Sequence, residues 1–99
     1  MIEISIVVPV RNESESIKPF LQETENVLKK MSKLYEIIFV LDPSTDDTEN
    51  IILNEIKRNK NIKLLTLSRR FGQPASTMAG IYHCQGSYCV IIDVDLQDP

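Results

Sequence analysis

The feature that most constrains this chain is the alternation of short apolar runs with longer segments of helical periodicity. Each apolar run is rich in β-branched residues and ends abruptly in polar ones, which is typical of strands buried on both faces. The runs lie at residues 4–10, 36–41, 62–67 and 88–92. The sequence therefore predicts four strands, each separated from the next by a segment long enough for a helix.

Apolar residues in the three intervening segments recur at helical spacing. The predicted inner faces are Ile17, Phe20, Leu21, Val27, Leu28 and Met31, then Thr48, Ile51, Ile52 and Ile56, then Ala75, Met78, Ala79 and Tyr82. We expect Asn12 and Ser44 to cap the first two helices and Pro74 to begin the third. The order β-α-β-α-β-α-β predicts an α/β fold with a Rossmann-like parallel sheet and helices on both faces.

Composition narrows the class of protein. The 99 residues suit one domain, with 42% hydrophobic and 25% charged residues. A net charge of -3 without a basic stripe argues against nucleic acid as a partner. The sequence has neither an apolar run long enough for a membrane span nor the pattern of a signal peptide. Cys84 and Cys89 lack zinc-binding spacing, and we interpret them as reduced thiols of a cytoplasmic protein.

Polar residues follow every predicted strand. In parallel sheets, ligands bind beyond the carboxyl ends of the strands. Those ends carry Arg11-Asn12-Glu13, Asp42, Ser68-Arg69-Arg70, and Asp93 with Asp95. We therefore expect a ligand site built from these segments at one rim of the sheet.

Asp93 and Asp95 are the candidate metal ligands. In an extended chain, residues two apart point to one face with their Cα atoms about 7 Å apart. Two carboxylates so placed repel each other unless a cation lies between them, and Mg²⁺ or Mn²⁺ takes oxygen ligands of this kind. Such an ion can also bind diphosphate oxygens. The competing interpretation is a pair of solvated aspartates at a strand end.

The other strand-end residues each have two interpretations. Asp42 can accept a hydrogen bond from a nucleobase N–H, or it can be a turn residue ahead of Pro43. Glu13 can reach a ribose hydroxyl, or it can be an acid in the first turn of a helix. Arg69 and Arg70 can bind a diphosphate, or they can form a solvated pair in a loop.

Taken together, these segments resemble the N-terminal half of the family 2 glycosyltransferases. The resemblance lies in blocks that occur in the same order: SIVVPVRNE at 5–13, EIIFVLDPSTD at 36–46, LSRRFG at 67–72, MAGI at 78–81 and DVDLQDP at 93–99. It covers essentially the whole chain. The final block and the Phe-Gly before it are most similar to the branch that makes polyprenyl-phosphate sugars, including dolichyl-phosphate mannose synthases and undecaprenyl-phosphate sugar transferases.

The resemblance implies a GT-A fold, with residues 1–99 as a nucleotide-sugar-binding subdomain that stops before the acceptor-binding half. It implies nucleoside contacts from Pro9, Glu13 and Asp42, and metal and diphosphate binding by Asp93 and Asp95. Gln97 and Asp98 would lie on the sugar or acceptor side. Arg69 would also contact the diphosphate. The catalytic base is expected further along the sequence.

The implied activity is inverting transfer of a sugar from a UDP- or GDP-sugar to a polyprenyl phosphate, in cell-envelope polysaccharide synthesis. The intact enzyme would be cytoplasmic, at the inner face of the membrane, and these 99 residues alone would be inactive. The edge of the fourth strand would promote homo-oligomers.

The alternative is a non-catalytic or decayed nucleotide-binding module. Leu41 and Pro43 favour it, because they stand where the family usually has an acid and a glycine. A dinucleotide-dependent oxidoreductase is excluded, since no glycine-rich turn follows the first strand.

Overall fold

A computed structural model describes residues 1–31, 34–69 and 73–94 of the chain. It contains four strands and three helices in strict alternation. They are β1 (Ile4–Val10), α1 (Ile17–Met31), β2 (Tyr35–Leu41), α2 (Thr48–Arg58), β3 (Ile62–Thr66), α3 (Gln73–Tyr82) and β4 (Tyr88–Ile91). Within the described residues, no helix combines the length and the apolar character needed to cross a membrane.

All four strands are parallel and lie in the order β3-β2-β1-β4. The predicted α/β class and Rossmann-like sheet are therefore confirmed. Because the strands are parallel, the carboxyl end of every strand lies at the same rim of the sheet, called here the C-terminal rim. β1 lies inside the sheet, so the loop that follows it is adjacent to the ends of both β2 and β4.

The larger core lies between the sheet and the helices α1 and α2. Phe39 at the centre of β2 is fully buried and contacts Phe20 of α1 edge to face, with ring centroids 6.0 Å apart. Ile17, Leu21 and Ile52 complete the buried helical stripes. This burial explains why the periodic apolar residues of α1 and α2 were sufficient to predict both helices. The predicted inner face of α1 was wrong for Val27 and Met31, whose exposed fractions are 56% and 46%, because they face the β4 edge of the sheet, where no other described element covers them.

The smaller core lies on the other face of the sheet, beneath α3. Gly80 lets this helix approach closely, because a Cβ atom there would overlap Val7 Cγ1 and lie 3.0 Å from Val40 Cγ2. The predicted inner face of α3 was wrong for Ala75, Met78 and Tyr82, which are all exposed, Met78 to 62% and Tyr82 to 87%. The helix instead turns its small residues towards the sheet, since only small side chains fit at that separation.

A buried carboxylate organises the opposite, N-terminal rim. Glu36 is fully buried in β2, accepts hydrogen bonds from Ser5 Oγ at 2.5 Å and Lys63 Nζ at 2.6 Å, and also accepts the Gln85 N–H. Burial acts to raise the pKa of Glu36, but the hydrogen bonds from Lys63 and Ser5 outweigh it, so the pKa lies below its usual value. Glu36 thus ties together β1, β2, β3 and the loop before β4.

An apolar groove of about 280 Å³ runs between α1 and β4. Val27 and Met31 line its helical side, and Val90 and Ile92 line its strand side. Each of the four strand residues of β4 is exposed. This edge of the sheet therefore carries apolar side chains that no other described element covers.

Candidate functional site

The loops after β1 and β2 lie side by side at the C-terminal rim, and Asn12 joins them. Asn12 has the left-handed backbone angle φ 54°, which asparagine tolerates better than most residues. Its Oδ1 accepts the Thr45 N–H at 2.8 Å, and its own N–H donates to Ser44 Oγ at 3.0 Å. The prediction that Asn12 caps α1 was wrong, because its side chain is used between loops and α1 begins only at Ile17.

Further hydrogen bonds connect the loop after β1 to the start of α2. The Glu13 N–H donates to Thr48 Oγ1 at 2.9 Å, and the Ser14 N–H donates to Asp46 Oδ2 at 3.2 Å. Asp46 Oδ1 accepts both the N–H and the hydroxyl of Thr48. The hydrogen bond from the Thr48 side chain is the main reason that the pKa of Asp46 falls to about 2. The carboxylate is therefore ionised at neutral pH and holds the two loops in register.

The predicted helix cap at Ser44 was also wrong. α2 begins at Thr48 with Asp47 in the capping position, and Ser44 Oγ donates to the Asp42 carbonyl at 3.1 Å. Ser44 therefore stabilises the turn after β2 rather than the helix. The exposed Pro43 lies within this turn, which is held on both sides by the bonds of Ser44 and Asn12.

Asp42 lies at the end of β2, and its exposed fraction is only 5%. Its N–H donates to the Val10 carbonyl at 3.1 Å, and its Oδ1 accepts the Ser76 hydroxyl of α3 at 2.9 Å. Asp42 also lines a cleft of about 370 Å³ between the ends of β2 and β3 and the start of α2. This cleft is of a size that binding sites for small molecules have.

The cleft can hold a planar polar group beside a carboxylate. Asp42 supplies acceptor oxygens, Ser44 and Thr66 supply hydroxyls, and Leu67 supplies an apolar surface. Leu41, which stands where the family 2 glycosyltransferases usually have an acid, is 4% exposed and packs in the larger core. Of the two adjacent positions 41 and 42 at the end of β2, only Asp42 therefore carries an acid.

Asp93 lies at the same rim as Asp42, beyond the end of β4. The Ile92 N–H still donates to the Val7 carbonyl at 3.0 Å, and Val94 is buried in the larger core. By strand alternation, Asp93 lies on the opposite face, which is the α3 face on which Asp42 also lies. β1 separates β4 from β2, so the strands that carry the two acids are two strand spacings, or about 10 Å, apart across the sheet.

Several predicted site residues fall outside the described part of the chain. These are Asp95, Gln97 and Asp98, together with Arg70. Among the described residues, no group of three or more histidine, cysteine or acidic side chains converges as a metal site. The exposed carboxylate of Asp93 has the oxygen chemistry that a hard divalent ion takes, and Asp95 is the second ligand that the sequence predicts.

The remaining predicted residues occupy different parts of the rim. Pro9 is partly buried and pairs with Val40 in the β1–β2 register, directly below the Asp42 turn. Glu13 is partly buried in the loop junction, whereas Arg69 is exposed beyond the end of β3. β3 and β4 are the two outer strands of the described sheet, so Arg69 and Asp93 follow strands at its opposite edges.

Sequence reasoning missed two residues that position the site. Ser76 was not recognised as the partner of Asp42, and Thr48 was taken only as a member of a buried helical stripe. The tolerance of asparagine for left-handed backbone was an available signal for the role of Asn12 in a tight loop. The partners of these side chains, more than thirty residues away, had no signal in the sequence.

Comparison with known proteins identifies the family of this chain. Residues 5–99 match the family model described as "Glycosyl transferase family 2". An uncharacterized glycosyltransferase of Synechocystis is 40% identical over 98 residues, which are 99% of this chain and 31% of that protein. The undecaprenyl-phosphate 4-deoxy-4-formamido-L-arabinose transferase of Pseudomonas savastanoi pv. phaseolicola is 37% identical over 97 residues, which are 97% of this chain and 29% of that protein.

Among solved structures, a mannosyltransferase from Pyrobaculum calidifontis in complex with GDP-Man and Mn²⁺ shares the fold, with a TM-score of 0.75. It is 21% identical, and the match covers 94% of this chain and 27% of that one. The chain thus spans less than a third of the length of the relatives and of this neighbour.

Proposed function

Because this chain belongs to glycosyl transferase family 2, we propose that it binds the nucleotide-sugar donor of an inverting glycosyltransferase. The observation that carries the proposal is the position of Asp42 and Asp93, which follow two parallel strands at one rim and lie on one face of the sheet. The strands that carry them are two strand spacings, or about 10 Å, apart, so a donor bound along the rim can reach Asp42 with its base and Asp93 with its diphosphate.

In this proposal, the nucleobase lies in the cleft beside Asp42. A buried carboxylate next to a ring N–H gives a charge-assisted hydrogen bond, which is stronger than a neutral one. Both uracil and guanine carry such an N–H, so the donor is a UDP- or GDP-sugar. Pro9 and Glu13 lie next to Asp42 around the end of β1 and would contact the base and the ribose.

The diphosphate extends from the cleft towards β4, where Asp93 and Asp95 would hold Mg²⁺ or Mn²⁺. Their carboxylate oxygens are ligands that both ions take. When bound, the ion neutralises negative charge on the departing nucleoside diphosphate. Arg69 would add a diphosphate contact from the β3 side, and Gln97 and Asp98 would lie near the sugar or the acceptor.

We further propose a polyprenyl phosphate as acceptor, with the sugar transferred at the cytoplasmic face of a membrane in cell-envelope synthesis. The similarity to an undecaprenyl-phosphate sugar transferase supports this choice. A phosphate monoester is largely ionised near pH 7, because its second pKa is about 6. An ionised acceptor oxygen can attack the anomeric carbon without first losing a proton to an enzyme base.

The alternative is a nucleotide-binding module without catalytic activity. The burial of Leu41 in the core, where the family usually has a second acid, favours it. Nucleotide binding that depends on a divalent ion distinguishes the two proposals, because we expect a decayed site to bind nucleotide without a contribution from the metal ligands.

The test is calorimetric titration of UDP, UDP-glucose and GDP-mannose with Mn²⁺, repeated with a chelator. We expect binding that requires the ion and that falls at least tenfold in Asp93→Asn/Asp95→Asn. Asp47→Asn is the matched control, because that exposed aspartate lies at the start of α2 and does not line the cleft. Equal affinity with and without the two carboxylates would refute the metal assignment, and ion-independent binding would favour the alternative.

A further inference from the structure

The Sγ atoms of Cys84 and Cys89 lie 2.9 Å apart. Cys84 follows the end of α3, and Cys89 is the second residue of β4. Both are free thiols, and they lie towards the N-terminal rim, away from the proposed donor site. This contact is closer than ordinary packing of two sulfur atoms, and it places the thiols within reach of each other.

The loop between the two cysteines is fixed at several points by its neighbours. The bonds run from Gln85 N–H to Glu36 Oε2 at 2.8 Å, from Gly86 N–H to Ser5 Oγ at 2.8 Å, and from Tyr88 N–H to the Glu3 carbonyl at 3.0 Å. Gly86 lies so close to β1 that a Cβ atom would come within 2.8 Å of the Ser5 nitrogen. The fold itself therefore holds the two sulfurs together.

From this geometry we infer that Cys84 and Cys89 form an oxidisable dithiol that closes into an intrachain disulfide. A disulfide needs its sulfurs about 2.05 Å apart, so from 2.9 Å the two atoms must approach by a little under about 1 Å. Because the fixed loop already holds the thiols in contact, ring closure is an intramolecular step with a high effective concentration. The ligand class is a small-molecule disulfide such as oxidised glutathione.

The two thiols have different roles in the exchange. Cys89 is exposed, so its thiolate attacks one sulfur of glutathione disulfide, forms a mixed disulfide and releases one glutathione thiolate. Cys84 then loses its proton and attacks the Cys89 sulfur, which releases the second glutathione thiolate. The protein loses two hydrogens and two electrons, and one glutathione disulfide becomes two glutathione thiols that take up the two protons.

The environment of Cys84 suits the second role. Cys84 packs against the smaller core and its Sγ donates to the Gly80 carbonyl at 3.4 Å. Burial, and then the hydrogen bond with Cys89, raise the pKa of the Cys84 thiol to about 12. Cys84 is therefore a poor first nucleophile, and its attack should be the slower step.

A disulfide here would join two elements of the proposed site. α3 carries Ser76, the partner of Asp42, and β4 leads directly to Asp93. The covalent bond would link the end of α3 to the start of β4 at the N-terminal rim. It would therefore limit how far these two elements can separate.

The experiment is intact mass spectrometry of the purified native protein during incubation with oxidised glutathione. We expect a transient adduct of one glutathione on Cys89, followed by a species that has lost two hydrogens and has no free thiol. In Cys84→Ser the adduct should persist on Cys89, because the resolving thiol is missing. In Cys89→Ser the remaining thiol should react at least tenfold more slowly.

The same incubation in concentrated urea is the control for the fold. Unfolding releases the loop, so closure should be slower than in the native protein and Cys84 should become as reactive as Cys89. The proposal fails if the native wild type keeps its glutathione adduct, if the disulfide forms between two chains, or if closure is faster in urea.

Discussion

The hydroxyl of Ser76 donates a hydrogen bond to Oδ1 of Asp42 at 2.9 Å, and both residues are buried. This bond connects α3 with the end of β2 at the base of the cleft. It fixes the orientation of a carboxylate that would otherwise rotate about its side-chain torsions. Recognition of a base would therefore depend on α3 as well as on the strand that carries the acid.

Asp42→Asn should weaken nucleotide binding about ten- to hundredfold, because a hydrogen bond to a charged group contributes about 1.5–3 kcal/mol. Ser76→Ala should weaken it less, since the carboxylate remains but loses its fixed orientation. Calorimetric titration of UDP and GDP measures both effects. Unchanged affinity in Asp42→Asn would show that the base binds elsewhere.

Substitutions of Asn12 should separate its backbone role from its side-chain role. Asn12→Gly keeps the left-handed φ and loses the bond to Thr45, so we expect a loss of about 1 kcal/mol in unfolding free energy. Asn12→Ala loses the same bond and adds about 1 kcal/mol of backbone strain. Urea denaturation of the pair measures the difference, and an alanine variant as stable as the glycine variant would contradict it.

Glu36 should make the stability of the fold depend on pH in the acid range. The pKa of Glu36 is lowered in the folded protein, so its contribution to the free energy of unfolding is complete above the ordinary pKa of 4.5. That contribution is lost as the pH falls through the lower pKa of the folded state. Glu36→Gln should cost about 1–3 kcal/mol at pH 7 and remove that part of the acid dependence.

Urea denaturation of wild type and Glu36→Gln between pH 7 and pH 3 measures this dependence. The control is Glu23→Gln, which changes an exposed carboxylate on α1. If Glu36→Gln lost stability with falling pH as steeply as wild type, another group would be responsible.

Gly80→Ala should destabilise the protein by about 1–3 kcal/mol despite the better helix propensity of alanine, because the new methyl group overlaps Val7. It should also weaken nucleotide binding, since α3 must move and carries Ser76 with it. The double variant Val7→Ala/Gly80→Ala creates room for the methyl group. Its loss of stability should be smaller than the sum of the two single losses, and strict additivity would exclude the clash.

The exposed edge of β4 should promote self-association. Val90 has an exposed fraction of 44% and lines the apolar groove beside the edge. Val90→Lys should reduce association, because a charge at an edge opposes strand pairing. Light scattering coupled to gel filtration over a range of concentrations measures it, with Leu53→Lys on α2 as control. A wild type that stays monomeric at every concentration would refute the prediction.

The strands were predictable because each is an apolar run that ends where polar residues begin. β1 was predicted at its observed bounds, and the other strands differ from prediction by a single residue at one end. The family was predictable from sequence blocks that keep both residue type and order, and the family match confirms it.

The loops and α3 were less predictable, for a physical reason. Asn12 and Ser44 have the side chains of helix caps, but the same oxygens can also bond to a neighbouring loop, and only the folded chain determines which partner is near. In α3, periodicity favoured Met78 and Tyr82 as buried residues. The close approach set by Gly80 leaves no space for them, and this depends on side chains of another element.

The position of β4 makes the cleft beside Asp42 structurally independent of the acidic segment that follows β4. Within the part of the chain that the structure describes, β4 has four strand residues and pairs with β1 alone, whereas the cleft beside Asp42 is enclosed by segments that precede residue 68. During synthesis, the walls of the cleft are therefore complete before the acidic strand exists. Transient fraying of β4 at the edge of the described sheet would release the phosphate end of a donor while its base stays bound.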